Sequence, residues 1–312
     1  MKTKAIVVLT AAMSSFVLTI QPAFAQGSLT PPGAPGPMMK TLDQLEPRTP
    51  ISSAPYTITN PGSYYLATNL VCAVSNAIVI AANGVTLDLN GFTISSTVAN
   101  AIYGGTAISL GDGLRDITIA NGHIRGGVTN NGSGVYSGPG FGSGISFWSA
   151  SAANVLVSRV SVSGCLGQGI YLGRVSPTVV ESCTVKTVAG HGVVASIVKA
   201  VSASDCGGNA IEGDQVSECR GEASGYGQGV YGYNAQNCYG SSSSGSGVST
   251  TIAHNCYGTS GSGYGVDVSK IAHSCYGYSS SGTGLRAQIA NSCVGSSSSG
   301  TPQSITYKYN MP

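Results

Sequence analysis

The C-terminal third of the chain repeats one short block of sequence, and the length of this block limits the folds that the chain can adopt. Each copy reads Cys-Tyr-Gly or a close variant, then a Gly/Ser-rich run, then Gly-x-Gly before an aliphatic residue. The copies open at Cys219, Cys238, Cys256, Cys275 and Cys293, at intervals of 19, 18, 19 and 18 residues. Such a period is typical of a solenoid, in which each coil packs only on its neighbours. The repeat predicts an architecture rather than an activity, because one scaffold hosts many functions.

The residues within each copy alternate as they do in β-strands. Residues 285–289 (Leu-Arg-Ala-Gln-Ile), 248–252 (Val-Ser-Thr-Thr-Ile) and 193–197 (Val-Val-Ala-Ser-Ile) place apolar side chains at every second position. This period indicates a strand with one buried face. The Gly/Ser-rich runs between strands supply the backbone freedom of tight corners. The chain is therefore predicted to be all-β, a single-stranded parallel β-helix of strands and corners.

Three columns of equivalent positions extend upstream of the clear repeats, and we expect all three to face the core. The first column contains Val160, Cys183, Val201, Cys219, Cys238, Cys256, Cys275 and Cys293. The second contains Ile170, Val193, Ile211, Val230, Val248, Val266 and Leu285. The third contains Leu156, Val179, Ile197, Ile252, Ile271 and Ile289. Stacked in this way, the three columns predict one continuous core.

Two N-terminal segments carry a resemblance to a known family. Residues 58–66 (Ile-Thr-Asn-Pro-Gly-Ser-Tyr-Tyr-Leu) and 84–92 (Gly-Val-Thr-Leu-Asp-Leu-Asn-Gly-Phe) resemble the first coils of bacterial right-handed parallel β-helix proteins of the pectate-lyase-like superfamily. The resemblance implies a right-handed coil and a short N-terminal capping helix, for which residues 39–46 are the candidate. A left-handed helix built on six-residue repeats is the alternative, but stepping in sixes from Ile271 reaches Gly277 and Thr283 rather than aliphatic residues.

The N-terminus predicts export. Two lysines, an apolar stretch and an Ala-Phe-Ala sequence make residues 1–25 a signal peptide. Residues 26–50 are predicted to be a Gly/Pro-rich leader that includes the capping helix, and residues 51–312 the β-helix domain. The expected location is extracellular or on the cell surface, with the periplasm as an alternative.

Composition limits the partners. The formal net charge is +2 and only 8% of residues are charged, which gives no electrostatic reason to expect nucleic acid. No later segment has the roughly 20 apolar residues of a transmembrane helix. A polysaccharide or a cell-surface glycan is the partner that we expect.

The nine cysteines allow two interpretations. In an exported protein they would suggest disulfides, and stacked coils bring consecutive cysteines within reach of each other. Valine occupies the same column at Val160 and Val201, however, which favours a stack of small buried thiols. A tetrahedral metal site is disfavoured, because a one-dimensional column of thiols cannot supply four convergent ligands.

Two sets of aromatic residues are candidates for carbohydrate binding. Tyr239, Tyr257 and Tyr276 follow the cysteines of three consecutive copies and should stack at the surface. They form either a sugar-binding strip or a ladder that only stabilises the sheet. The second set lies in a long excursion at residues 126–152, which carries Tyr136 and Trp148. Long loops on a rigid scaffold often carry function, although this one would equally serve to cover the side of the coil.

The charged residues allow one catalytic hypothesis. Polygalacturonase-like relatives resemble the chain at Gly-His-Gly, residues 190–192, but the paired Asp-Asp of that family is absent, and we interpret this motif as a corner. Lyase chemistry requires a calcium ion and a basic residue that removes a proton. Asp205, Glu212 and Asp214 are the candidate calcium ligands, and Lys199 and Arg220 the candidate bases.

Two functional hypotheses remain. In the favoured one, the protein is an exported, non-catalytic β-helix scaffold for surface contact or carbohydrate binding, without a cofactor. In the alternative, it is a calcium-dependent lyase that acts on uronate-containing polysaccharides. The two differ in geometry, because an enzyme must bring its acids and a base together on one face near the long excursion.

Overall fold

The chain forms a parallel β-solenoid of about 13 turns. A computed structural model describes residues 46–74, 76–101, 104–147, 153–175 and 177–311. Every helix or strand assigned within these ranges is a β-strand. The signal peptide and most of the capping-helix segment fall outside the described residues. Within them, no helix has the length and hydropathy needed to cross a membrane.

The strands alternate with short corners along the whole described chain. Up to the long excursion they are β1 Thr49–Ile51, β2 Tyr56–Ile58, β3 Gly62–Leu66, β4 Leu70–Cys72, β5 Ile78–Ile80, β6 Val85–Asp88, β7 Thr93–Ser96, β8 Thr106–Leu110 and β9 Arg115–Arg125. The excursion and the irregular coils after it contain β10 Thr129–Asn130, β11 Tyr136–Ser137, β12 Ser143–Phe147, β13 Ala153–Cys165, β14 Ile170–Gly173, β15 Thr178–Glu181, β16 Thr184–Val188, β17 Val193–Lys199 and β18 Ser202–Cys206. The regular coils contain β19 Ile211–Ser217, β20 Arg220–Ala223, β21 Val230–Gln236, β22 Tyr239–Ser242, β23 Val248–His254, β24 Tyr257–Ser260, β25 Val266–His273, β26 Tyr276–Ser279, β27 Leu285–Asn291, β28 Val294–Ser297 and β29 Gln303–Tyr309.

Parallel pairing holds the coils together. All of these strands except β10 and β11 pair in parallel with strands of neighbouring coils, whereas β10 and β11 form a small antiparallel hairpin. The second predicted column is confirmed position by position, since Ile170 pairs with Val193, Val193 with Ile211, and so on to Leu285. Every member of this column is fully buried. The repeat therefore predicted both the fold and its register.

The third predicted column is wrong in one respect, because it faces outward. Its members stay in register, but Ile197 is 42% exposed and Ile271 is 41% exposed. The seven-residue strands such as β19 bend after their third residue, so two consecutive side chains point outward and the alternation then resumes one position later. In β25, which is one residue longer, three consecutive side chains point outward. The buried column consists of the residues that follow, Val157, Val180, Val198, Val216, Ala235, Ala253, Ala272 and Ala290.

A sharp corner follows each long strand and has a fixed backbone conformation. The residue immediately before each cysteine or valine of the first column has a positive φ, between 49° and 57°. The residues are Arg159, Ser182, Ala200, Glu218, Asn237, Asn255, Ser274 and Ser292. Asparagine tolerates this left-handed conformation better than most residues, whereas alanine does so at a cost. The corner is thus set by coil geometry and not by residue type.

A serine, buried in three coils and half-buried in the last, closes the Gly/Ser-rich corner after each of β22, β24, β26 and β28. Its hydroxyl donates to a glycine carbonyl of the preceding coil at 2.6 to 2.8 Å and accepts from the N–H three residues later at 2.8 to 2.9 Å. The serines are Ser242, Ser260, Ser279 and Ser297. Each hydroxyl therefore satisfies one backbone acceptor and one backbone donor, which would otherwise be left unpaired inside the corner.

The cysteines are free thiols. All nine are buried, and none forms a disulfide. Their column is flanked by aligned strands, since Ser217 pairs with Gln236 and Arg220 with Tyr239 on either side of Cys219 and Cys238. The structure confirms the prediction of a stack of small buried thiols.

Candidate functional site

The long excursion folds back onto the coil as a hairpin. β10 and β11 pair through Asn130 and Tyr136, and the turn between them is held by the Asn130 side chain, whose Oδ1 accepts from the N–H groups of Gly132 and Gly134. At its base, the N–H of Val128 donates to the carbonyl of Gly164 in β13. The excursion is therefore an ordered projection from the side of the coil.

Asp205 fastens the hairpin to the coil. Its Oδ1 accepts hydrogen bonds from Asn130 Nδ2 at 2.6 Å, from the Tyr136 hydroxyl at 3.0 Å and from Ser224 Oγ at 3.1 Å. Burial raises the pKa of this carboxyl, but the hydrogen bonds from Asn130, Thr187, Tyr136 and Ser224 outweigh it and lower the pKa below its ordinary value. Asp205 is thus ionised under ordinary conditions.

A bulge gives Asp205 its unusual direction. Ala203 pairs with Gly221 and Cys206 with Ala223, so Ser204 and Asp205 together face a single residue of β20. Asp205 has a φ of 53°, in the left-handed region. A bulge of this kind redirects a side chain, and here it aims the carboxylate at the hairpin instead of along the sheet.

The hairpin and the coil enclose a polar cleft of about 620 Å³. Its lining consists of Asn130, Gly132, Ser133, Gly134, Asp205, Ser224 and Ser243. These residues offer amide, hydroxyl, carboxylate and backbone groups, and Asp205 is the one charged residue among them. Tyr226 follows Ser224 in the same corner by two positions and is 88% exposed. An aromatic ring so exposed is available for stacking on a ligand.

Of the predicted aromatic residues, Tyr136 anchors the hairpin through Asp205, a residue of the cleft lining. Its hydroxyl donates to Asp205, and burial together with the nearby carboxylate raises the pKa of Tyr136 well above its ordinary value. A side chain at Gly207 would collide with the backbone of Ala189 and press on the Tyr136 ring, so a glycine is required beneath it. Trp148 lies outside the described residues.

The predicted tyrosine ladder exists, but its rings cover one another. Tyr239 and Tyr257 lie 5.5 Å apart between ring centroids with an interplanar angle of 9°, and Tyr257 and Tyr276 lie 5.0 Å apart at 14°. The Arg220 guanidinium lies over the outer side of Tyr239, 4.3 Å from its centroid. Because sugars stack on the faces of aromatic rings, this arrangement supports the stabilising interpretation of the ladder.

The predicted calcium ligands do not come together. Arg174 binds Asp214 through Nε at 2.9 Å and Nη2 at 2.7 Å, and it binds Glu212 through Nη1 at 3.2 Å. Asp205 lies in β18, which pairs with β16 and β20, whereas the other two acids lie in β19, which pairs with β17 and β21. Within the described ranges, no three His, Cys, Asp or Glu side chains are grouped so that they could hold a metal ion. An arginine thus occupies the place between the two paired acids.

The two candidate bases are also separate from these acids. Arg220 pairs with Glu222 at 2.6 Å and stacks on Tyr239. Lys199 is exposed at the end of β17, where its position aligns with Glu181 and Ser217. The convergence that lyase chemistry requires is not formed by these predicted residues.

The Gly-His-Gly motif forms a corner, as predicted. His191 lies between β16 and β17, and its Nδ1 accepts a hydrogen bond from the N–H of Asn209 at 3.1 Å. In the same way Gln168 Oε1 accepts from the N–H of His191, and Asn209 Oδ1 from the N–H of Gln228. His191 therefore belongs to a ladder of side chains that tie consecutive corners together.

Sequence reasoning missed Arg174, Asn130, Ser224 and Tyr226. The Asn-Asn-Gly sequence that begins at Asn130 is a turn signal and would have indicated a hairpin. Nothing in the sequence points to Arg174, because its partner Asp214 is 40 residues away and becomes its neighbour only through coil stacking.

Comparison of the chain with protein-family models, with curated proteins and with solved structures gives no match. The fold assignment rests on the parallel register of the strands. Conclusions about function rest on the geometry of the cleft and of the acidic residues.

Proposed function

We propose that this protein is a non-catalytic β-solenoid scaffold that binds a glycan in the cleft between the hairpin and the coil. The observation that carries the proposal is the composition of the cleft, whose lining residues all offer polar groups at the point where the longest excursion meets the regular coils. Such a lining suits a ligand that is covered with hydroxyl groups, since each hydroxyl can both donate and accept.

Preorganisation supports binding at this place. Asn130, Asp205 and Ser224 hold one another by hydrogen bonds of 2.6 and 3.1 Å, so they do not need to be ordered when a ligand arrives. Tyr226 lies two positions after Ser224 and is exposed, and we infer that its ring contacts the same ligand. A fixed polar cleft beside a free aromatic face is a common arrangement for small polar ligands.

The charge of the cleft favours neutral or amino sugars over uronates. Asp205 is ionised and is the only charged residue in the lining. Lys186, which pairs with Ser204, and the Arg220–Glu222 ion pair are not part of the lining. A carboxylated sugar would therefore place its negative charge near that of Asp205 without a cation between them.

The absence of catalysis is part of the proposal. Glu212 and Asp214 both bind Arg174, whose guanidinium neutralises the charge that would attract a calcium ion to this pair. We also propose export of the protein and membership of the pectate-lyase-like superfamily. The signal-like residues 1–25 and the resemblance of residues 58–66 and 84–92 support these two assignments.

Calorimetric titration with oligosaccharides tests the proposal. The probes are chitin and chitosan oligosaccharides, xylo-oligosaccharides and oligogalacturonate, and unsaturated products and reducing ends are followed in parallel. We expect binding of a neutral or amino-sugar oligomer without product formation. Tyr226→Ala should weaken binding about three- to tenfold, as expected for the loss of 0.5 to 1.5 kcal/mol of aromatic contact.

Tyr309→Ala is the matched control, because Tyr309 is an exposed tyrosine on the last strand. It should leave the affinity unchanged. If Tyr226→Ala and Tyr309→Ala changed the affinity equally, the glycan would bind outside the cleft. If unsaturated product formed in the presence of calcium, the lyase hypothesis would replace this proposal.

A further inference from the structure

Five thiols occupy equivalent positions on five consecutive coils. Cys219, Cys238, Cys256, Cys275 and Cys293 are each 0 to 3% exposed. The strands that follow the column pair without a register shift, and the last residues of the strands that precede it pair coil by coil. From Cys238 onward, the N–H of the residue after each cysteine donates to the carbonyl of the cysteine one coil earlier. No other residue type interrupts this column between its first and last cysteine.

The five thiols of the column share one local hydrogen-bond geometry. Each Sγ contacts the carbonyl oxygen two residues before its own cysteine, at 3.1 Å for Cys219, 3.2 Å for Cys238, 3.2 Å for Cys256, 3.3 Å for Cys275 and 3.2 Å for Cys293. Because all five side chains have the same rotameric direction, neighbouring sulfurs are separated by the spacing between parallel strands, about 4.8 Å.

This spacing matches a linear sulfur–metal–sulfur unit. Two metal–sulfur bonds of about 2.3 Å each, placed end to end, span roughly 4.6 Å. We propose that the column binds a soft metal ion of filled d shell, such as Ag(I) or Cu(I), between the thiolates of two successive coils. Soft thiolate ligands select ions of this kind. Five thiols supply two complete pairs, so two ions fill the column without shared ligands.

The same geometry argues against zinc. A tetrahedral ion needs four converging ligands, whereas a thiol in the column has a neighbouring thiol only above and below it. The column ends in another soft donor, since the N–H of Cys293 contacts Met311 Sδ at 3.2 Å. A thioether after five thiols extends the soft character of the column to its end.

Binding of each metal ion displaces protons from the two thiols that hold it. Two S–H bonds break, two sulfur–metal bonds form, two protons leave for each ion, and no atom changes its oxidation state. With a monovalent ion each site gains one negative charge inside the core. Backbone donors offset part of this charge, since the N–H of Cys275 donates to the sulfur of Cys293 at 3.3 Å.

The remaining cysteines provide an internal comparison. Cys165 and Cys206 belong to a different column, in which Val188 separates them. Each is an isolated thiol, and neither has a partner one coil away. They should not bind the ion in the linear mode.

Silver uptake tests the proposal. The reduced protein is incubated with silver nitrate, desalted and analysed for bound silver, and a second sample is refolded in the presence of silver nitrate so that burial of the column does not prevent entry. We expect two Ag(I) ions per chain, two sulfur neighbours per ion in X-ray absorption spectra, and no retention of Zn(II).

Paired valine variants give the decisive comparison. Cys238→Val with Cys275→Val removes every adjacent pair, and valine is native to this column at Val160 and Val201, so the coil should fold. This variant should bind no silver, whereas Cys165→Val with Cys206→Val should bind as much as the parent. Equal uptake by both double variants, no uptake by the parent in either sample, or isolation of the column as disulfides would overturn the proposal.

Discussion

Asp205 Oδ1 lies 2.6 Å from Asn130 Nδ2, and this hydrogen bond joins residues 75 positions apart in the sequence. It connects a bulge on the coil to the turn of the hairpin, so one carboxylate holds the hairpin tip against the coil. The cleft between them depends on this contact.

Asp205→Asn should release the hairpin without unfolding the coil. An amide replaces the ionised acceptor of three hydrogen bonds, which should cost about 1 to 3 kcal/mol locally. Hydrogen exchange at residues 128–137 should therefore become faster, and limited proteolysis should cut the turn. Glu222→Gln, in an exposed ion pair with Arg220, is the control and should leave the hairpin protected.

The pKa of Asp205 is lowered in the folded state. The stability that its carboxylate gives to the hairpin is therefore complete above the unfolded pKa of about 3.9 and is lost as pH falls through the folded pKa. Hairpin protection should hold at pH 5 to 7 and decline below about pH 4; protection that declines near neutral pH would contradict this role.

Ala200→Asn should stabilise the coil. Ala200 has a φ of 51° at a corner where Asn237 and Asn255 occupy the equivalent positions. Relief of left-handed strain should add about 0.5 to 1 kcal/mol to the free energy of unfolding, measured by denaturant titration. Ser202→Asn, two residues later in β18, has no positive φ to relieve and should bring no gain. A gain from both substitutions would point to an effect unrelated to the corner.

Ser260→Ala should destabilise the regular coils by about 1 to 3 kcal/mol, because it leaves the Gly245 carbonyl and the Gly263 N–H buried without partners. Thermal unfolding measures the loss. The exposed Ser262 in the same corner provides the control, and Ser262→Ala should be nearly neutral.

Tyr257→Ala should lower stability and leave glycan binding intact. Tyr257 stacks on Tyr239 and Tyr276, and each cross-strand contact contributes about 0.2 to 1 kcal/mol. Tyr257→Phe keeps both stacks and should behave like the parent in the same melting experiment. A loss of oligosaccharide affinity in Tyr257→Ala would restore the ladder as a binding strip.

Ile197→Asp and Val198→Asp should have opposite outcomes. Ile197 is 42% exposed, so a charge there remains solvated, whereas Val198 is fully buried and a charge there has no partner. Circular dichroism should show a folded protein for the first variant and loss of the coil for the second. The reverse result would return the third column to the core.

The repeat length and the alternation predicted the fold and the register, because stacking forces equivalent residues such as Val248 and Val266 into one column. They did not predict which way Ile197 points, since the bend in its own strand, β17, breaks the period of two without any glycine or proline to mark it. Glu212 and Asp214 could be expected to lie together because they alternate along one strand, but their partner Arg174 could not be predicted, because coil stacking determines which distant residues meet. The cleft was missed for the same reason, since it forms between residues near 130 and residues near 205 and 224.

The register that aligns the thiols and serines also has a mechanical consequence. The hydrogen bonds that join successive coils all run along the stacking direction. A force along that direction acts on the contacts between successive coils in series, so each contact bears the whole force. A force across the coils is shared among many hydrogen bonds at once. The protein should therefore peel apart coil by coil when pulled from its ends and resist a sideways load far more strongly.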